Sequence, residues 1–304
     1  MPNKIITIAG GTGNLGGRII RELLKKEVEV RVLVRSGSNQ EKIAELEQLG
    51  AKIFTVDMNS EQEIAEVCKG ASCVVSALAG LEDVVIEAQK VLLDAAILAG
   101  VPRFIPSDYS LDFTKFKDGE NRNLDLRRQF HKYLDAQPIA ATSIFNFTFM
   151  DMLTNEIPMI IFKKKWVLYW GNADHKISFT TIEDTATYTA NVAVDDSSPR
   201  YLRITGDQIS PKEIREVLND LTGEKFRLIR TGGLGLLSAL IKITRLFSPA
   251  KDELYPAWQG MQYMRNMMDE RADLKTTDND RYPGMEWTKV EDVLAQYLQE
   301  NPIS

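Results

Sequence analysis

Ile5-Ile6-Thr7-Ile8-Ala9-Gly10-Gly11-Thr12-Gly13-Asn14-Leu15-Gly16-Gly17 decides how the rest of this 304-residue chain is read. The apolar run Ile5 to Ala9 reads as a strand. Leu15, Ile19, Ile20, Leu23 and Leu24 then recur at helical spacing as far as Lys26. Between them, Gly10, Gly13 and Gly16 form a G-x-x-G-x-x-G turn that leaves a strand and enters a helix. Backbone N–H groups and the helix dipole at such a turn favour a pyrophosphate, and glycine lets phosphate and backbone come close. Gly16 also lets the helix pack on the strand. The turn predicts dinucleotide binding, with Gly10, Thr12, Gly13, Asn14, Leu15 and Gly16 as contacts.

Outward from the turn, strand and helix patterns alternate. Strands are expected at Val28–Val34, Lys52–Val56, Ser72–Ser76, Arg103–Ile105 and Ala140–Phe145. Helices are expected at Glu41–Leu49, from Ser60 to Lys69, at Glu82–Ala99 and at Asn121–Ala136, with Ser60 and Glu63 as a capping box. Short joins between them imply an α/β fold, a doubly wound parallel sheet of Rossmann type with helices on both faces. After Phe147 the rhythm loosens. A short helix is expected at Thr148–Asn155, then strands at Trp166–Trp170 and Lys176–Phe179, and a helix capped by Thr180 with Glu183. Tyr201–Thr205 reads as one more strand of the main sheet. Ser210, Pro211 and Glu213 open a further helix, and Thr288 with Glu291 opens the last. The expected division is residues 1–150 with 176–205 as the NAD(P)-binding domain, and 151–175 with 206–304 as a smaller, mostly helical lobe for substrate or partner.

The second strand selects the cofactor. An NAD-preferring site carries an acid there for the ribose hydroxyls. This chain has Arg35 and Ser36 instead, a planar guanidinium and a hydroxyl suited to a 2′-phosphate, so NADP(H) is expected. Asp57 after the third strand either accepts from the adenine amino group or simply forms its turn, and Met58 is placed to cover the ring. Ala77 and Leu78 after the fourth strand leave room for the ribose.

These motifs, with Arg103-Phe104-Ile105-Pro106-Ser107-Asp108-Tyr109, Leu126-Arg127-Arg128, Ala141 to Phe145, and Thr181 to Ala186, resemble the NmrA-like group of atypical short-chain dehydrogenases. That group includes the isoflavone-reductase-like enzymes. The resemblance covers roughly the first two-thirds of the chain and implies an NADPH site that includes Ser107 and Phe145. Two departures stand out. Neither Tyr109 nor Tyr133 has a lysine four residues on, so the Tyr-x-x-x-Lys chemistry of common short-chain dehydrogenases is absent. Aligning Arg127-Arg128 with the reductases' Arg-Arg pair puts Asn123 where they carry a lysine. Asparagine orients by hydrogen bonds but supplies no proton near neutral pH. Tyr109 and Asn123 are the catalytic candidates, with Asp108 beside them.

Phe145, Phe147 and Phe149 follow the sixth strand, where a nicotinamide is expected. Tyr255, Trp258, Met261, Met264 and Met268 make a helical stripe, and Phe147, Trp258 and Met261 are the candidate substrate contacts for an apolar or aromatic molecule. The formal charge of −6 and the lack of a basic run argue against nucleic acid and anionic membrane. Two histidines and two cysteines supply no metal site, and Cys68 and Cys73 read as buried thiols of a reducing cytoplasm. The stretch from Gly232 to Ile243 is too short to span a bilayer. Two functional readings stand: an NADPH-dependent reductase of a small apolar or aromatic carbonyl or enone, and a cofactor-sensing regulator that acts on a protein partner.

Overall fold

β1 (Ile5–Ala9) seeds the main sheet, with Ile6, Ile8 and Ala9 fully buried. The structure is a computed structural model and describes residues 4–302. In order follow α1 (Asn14–Leu24), β2 (Glu29–Val34), α2 (Gln40–Gln48), β3 (Lys52–Thr55), α3 (Glu61–Cys68) and β4 (Cys73–Ser76). A π-helical turn, Asp83–Ala88, runs into α4 (Gln89–Leu98), so the helix expected over Glu82–Ala99 starts wider than α. Then come β5 (Arg103–Ile105), α5 (Arg122–Leu134), β6 (Ala140–Ala141) and β7 (Ser143–Phe145). The sheet order is β3-β2-β1-β4-β5-β6 and every pairing is parallel. Winding reverses between β1 and β4, the switch point at which such sheets hold their ligands. Central strands covered on both faces must be apolar on both, as the buried run Val30, Val32, Leu33 and Val34 of β2 shows.

The later elements are β8 (Thr148–Phe149), β9 (Ile160–Ile161), β10 (Trp166–Trp170), β11 (Ile177–Thr180), α6 (Ile182–Val194), β12 (Tyr201–Arg203), β13 (Asp207–Ile209), α7 (Pro211–Thr222), β14 (Arg227–Gly232), α8 (Leu234–Phe247), α9 (Ala257–Met267) and α10 (Val290–Glu300). Two small sheets, β14-β10-β9 and β13-β11-β8, accompany the helices. The chain divides into two compact units. One comprises Met1–Tyr109, Leu126–Phe145 and Ile182–Leu202, and the other Ser110–Asp125, Asn146–Thr181 and Arg203–Ser304.

Several sequence expectations are corrected. The strand expected over Ala140–Phe145 breaks at Thr142. The Thr142 N–H bonds the Phe104 carbonyl, but the next N–H, of Ser143, turns to Arg200. Tyr201–Thr205 therefore does not join the six-stranded ladder; β12 pairs with β7 and ends at Arg203. The helix expected at Thr148–Asn155 is instead β8, paired with β11, followed by a 3-10 turn over Met150–Leu153. Thr180 is no helix cap. It ends β11, and its hydroxyl donates to the Asn146 carbonyl at 2.7 Å. The last helix starts at Val290, and Asp292 rather than Glu291 accepts from the Lys289 N–H, at 2.9 Å. Cys68 and Cys73 are both buried and unbridged, and burial pushes their thiols up to about 11 and about 12, so both are uncharged at neutral pH.

Candidate functional site

Close backbone approach explains the glycine turn. Gly10 has φ of +86°, and a Cβ there would lie 2.4 Å from the Ala77 carbonyl oxygen. At Gly16 a Cβ would lie 2.2 Å from the Gly10 carbonyl oxygen. Neither position admits a side chain without moving backbone. The two sheet halves meet here, where the Ala77 N–H donates to the Ala9 carbonyl at 2.9 Å. Gly13 is the residue before α1, in extended conformation, and no side chain caps the helix. Asn14 turns its carboxamide oxygen to Arg18 instead, at 3.0 Å. The first N–H groups of α1 thus lack a side-chain acceptor beside exposed Gly13, with the dipole's positive end behind them. Lys42 of α2 adds a cation that the sequence reading missed, its ammonium 3.0 Å from the Thr12 carbonyl oxygen. A separation of 30 positions leaves no local signal.

Arg35 and Ser36 are exposed just beyond β2, and the Arg35 guanidinium makes no ion pair with any described residue. Asp57 occupies its own turn: Oδ1 accepts from the Asn59 N–H at 2.9 Å and from its side chain at 3.2 Å. Glu63 does not complete a box with Ser60; it takes the Asp57 N–H at 2.9 Å, while Ser60 accepts from the Glu63 N–H at 3.3 Å. Met58 packs against the core, and Ala77 and Leu78 are half-buried at the end of β4. Ser107, after β5, is built into the sheet end. Its hydroxyl donates to the Leu78 carbonyl at 2.6 Å and its N–H to buried Gln89 at 2.8 Å. Phe145 is fully buried and stacks on Tyr201 with ring centroids 5.8 Å apart.

Beside Ser107 lies a buried polar network that sequence reasoning did not assemble. Asp108 accepts from His131 Nε2 and from the Ser143 hydroxyl, both at 2.6 Å. Arg200 donates to the Ser143 oxygen at 2.6 Å, to His131 Nδ1 at 3.2 Å and to Asp135 at 2.8 Å. Burial pushes the Asp108 carboxyl up, but His131, Ser143 and Arg127 outweigh it and hold the group below the usual carboxylate range. Tyr109 is buried next to Thr189, and burial drives its ionisation far above the ordinary tyrosine value, so its hydroxyl keeps its proton.

In the second unit, Asn123 is 2% exposed, accepts from Arg122 Nε at 3.0 Å and donates to the Leu254 carbonyl at 3.2 Å. Phe147 is buried with φ of +63°, its N–H on the Ser110 carbonyl. Trp258 is 1% exposed, bonds Pro249 through its indole N–H at 3.0 Å, and has the Arg122 and Arg245 guanidinium groups 4.8 and 5.0 Å from its ring. Met261 is half-buried. The expected stripe holds in part: Trp258 and Met268 are buried, Met261 and Met264 are half-buried, and Tyr255 departs. Tyr255 is 63% exposed, and α9 buries Trp258, Gln259, Gln262, Asn266 and Met267. The three amides share one face, where Gln259 donates to the Asn121 side chain at 2.8 Å and Gln262 accepts from the Arg122 N–H at 3.1 Å. No group of three or more His, Cys, Asp or Glu among the described residues is placed to hold a metal ion, and no described helix is long and apolar enough to cross a membrane.

The family model described as "NmrA-like family" matches residues 2–291. The chain belongs to the NmrA-like family. Among curated relatives, this NmrA-like protein is 24% identical to the oxidoreductase swnN of Metarhizium robertsii, over 95% of each chain. It is 23% identical to the bifunctional pinoresinol-lariciresinol reductase 1 of Linum usitatissimum, over 96% of this chain and 98% of that one. Its fold matches the leucoanthocyanidin reductase–NADPH complex from Vitis vinifera with a TM-score of 0.81 and 17% identity, over 97% of this chain and 99% of that one. At that identity the likeness concerns the fold.

Proposed function

We propose that this NmrA-like protein is an NADPH-dependent reductase of a small apolar or aromatic carbonyl or enone compound. The carrying observation is the uncapped start of α1 beside two glycines that admit no Cβ, a cradle a side chain would fill. The residues fit the cofactor: α1 N–H groups and Lys42 for the pyrophosphate, Arg35 and Ser36 for a 2′-phosphate, Ala77 and Leu78 for the ribose. Met58 serves the adenine side more than Asp57, whose Oδ1 is taken by its own turn. When bound, NADPH supplies the hydride.

The chain's residues supply binding and orientation. The Asp108 network fixes the loop after β5 that carries Ser107 and Tyr109. On this loop the Ser107 hydroxyl already donates to the Leu78 carbonyl, which leaves the buried Tyr109 hydroxyl, protonated throughout the neutral range, as its candidate donor. Asn123 offers a carboxamide and no proton, so turnover rests on orientation and oxyanion stabilisation. The unit containing α9, with Phe147, Trp258 and Met261, is the proposed substrate lobe. Trp258 contributes there as packing, since both its ring and its N–H are already engaged. Relatives bearing the names oxidoreductase and reductase weigh for the enzyme over the cofactor-sensing regulator.

Titration with NADPH and NADH, followed by turnover at the nicotinamide absorbance band with aromatic carbonyls and enones, tests this reading. NADPH is expected to bind more tightly and to be oxidised. Arg35→Glu should weaken NADPH by about 10- to 100-fold, the scale of one charged contact, and leave NADH nearly unchanged. Equal loss for both would remove the 2′-phosphate assignment, and binding without turnover across the panel would remove the reductase.

A further inference from the structure

The outward side of α8 departs from what a surface helix presents. Leu236 and Ile243 are each 52% exposed, Leu246 is 76% exposed and Phe247 is 81% exposed. Leu240 lies half-buried among them. Leu236, Leu240, Ile243 and Phe247 fall at intervals of four, three and four residues, which places them within about 60° of one another around the helix. That interval is the seam along which two helices interlock side chains. The opposite side of α8 is already satisfied by its own chain. Leu237 and Ile241 are buried, Ser238 accepts from Arg265 at 2.9 Å, and Arg245 lies over the Trp258 ring. A surface helix ordinarily turns polar residues outward; α8 turns apolar ones outward as well.

We propose that this face joins two copies of the chain as an antiparallel pair of α8 helices about a two-fold axis. In that register Leu240 of each copy meets Ile243 of the other, and Leu236 meets Phe247. The residues flanking the seam on its outer side, Ala239 and Leu246, carry no charge, so nothing opposes a second identical helix. The helix holds no acid, and its cations Lys242 and Arg245 stand off the seam. With flanking Leu246 included, the exposed side chains present at most roughly 500 Å² per copy, on the order of 1000 Å² for a pair, the lower edge of specific interfaces. A self-paired surface therefore suffices without a further partner. An anionic bilayer is the poorer occupant, because of the two cations of α8 only Lys242 is left to solvent, Arg245 lying over the Trp258 ring. The proposal is independent of the reductase reading.

Sedimentation velocity over a hundredfold range of concentration in the micromolar region tests it, expecting a dimer that dissociates on dilution. Ile243→Glu and Phe247→Glu should each remain monomeric throughout, with the circular dichroism and urea midpoint of the parent protein, whereas Lys242→Glu, off the seam, should still dimerise. Cysteine pairing tests the register, since Cys68 and Cys73 are buried. Leu236→Cys and Phe247→Cys proteins should cross-link poorly alone and efficiently when mixed. A parent protein that is monomeric at every concentration overturns the proposal. So does a dimer that survives both glutamate substitutions, or cysteine variants that cross-link with themselves and not with each other. A monomeric parent that sediments with phosphatidylcholine–phosphatidylserine vesicles, and loses that binding on Phe247→Glu, would give the face to a membrane instead.

Discussion

The starts of α1 and α7 answer the same physical demand in opposite ways. Every helix begins with N–H groups that lack intrahelical partners. At α7 the chain satisfies them itself. Ser210 accepts from the Glu213 N–H at 3.2 Å, Glu213 accepts from the Ser210 N–H at 2.8 Å, and Pro211 removes one donor. At α1 the residue before the helix is Gly13 and no side chain reaches back. A helix start that satisfies itself belongs to the scaffold. One left open beneath glycines that admit no Cβ leaves its donors to the phosphate proposed above.

Substitutions that force one start toward the other should break this contrast unequally. The largest effect is expected for Gly16→Ala, whose methyl would sit 2.2 Å from the Gly10 carbonyl oxygen. Urea unfolding should show a loss of about 1–3 kcal/mol or more, the range for forced overpacking, with NADPH binding abolished; an alanine variant of parental stability and affinity would refute the close approach. Next is Gly13→Asp, which installs a side-chain acceptor and a negative charge where a pyrophosphate is proposed. Its stability should change by less than about 1 kcal/mol, while NADPH weakens by about tenfold or more. Undiminished affinity in a calorimetric titration would move the phosphate away from α1.

The counterpart at α7, Ser210→Ala, should cost about 1 kcal/mol with no change in NADPH affinity. A loss of affinity there would mean the two helix starts are not functionally separate. The smallest effect concerns pH. The Ser210 N–H bond, aided by Lys176, holds the Glu213 carboxyl below its usual range. A depressed carboxylate stabilises the fold above its unfolded pKa of about 4.3, and that contribution fades as pH falls through the lower folded value. Because Glu213 is 41% exposed, solvent screening leaves it only a few tenths of a kcal/mol. Glu213→Gln should flatten the acid limb of the urea midpoint by that small amount, and an unchanged slope would show the cap to be pH-indifferent. Gly13 offers α1 no titrating side chain to behave this way.

Sequence alone determined whatever depends on residues within one turn or one strand. The glycine turn, Arg35 past β2, the Ser210 box and the β-α alternation were all legible, because the interacting groups lie within a few positions and the periodicity repeats. The parallel sheet followed from that alternation. Tertiary structure alone decided features whose partners are far apart in the chain. Asp108 meets His131 and Ser143 across 23 and 35 residues, and Arg200 reaches Ser143 across 57. Single polar residues at such distances carry no period and no spacing rule. β12 left the main ladder because one N–H, that of Ser143, turned to Arg200. The stripe on α9 was incomplete for a related reason. Trp258, Met267 and Met268 go inside as their transfer energy predicts, yet Gln259, Gln262 and Asn266 go inside with them. Burying an amide costs less when it finds partners, and Asn121 and the Arg122 N–H, well over a hundred residues away, engage one atom of each amide, while Gln259 Oε1 and Asn266 Nδ2 stay without one.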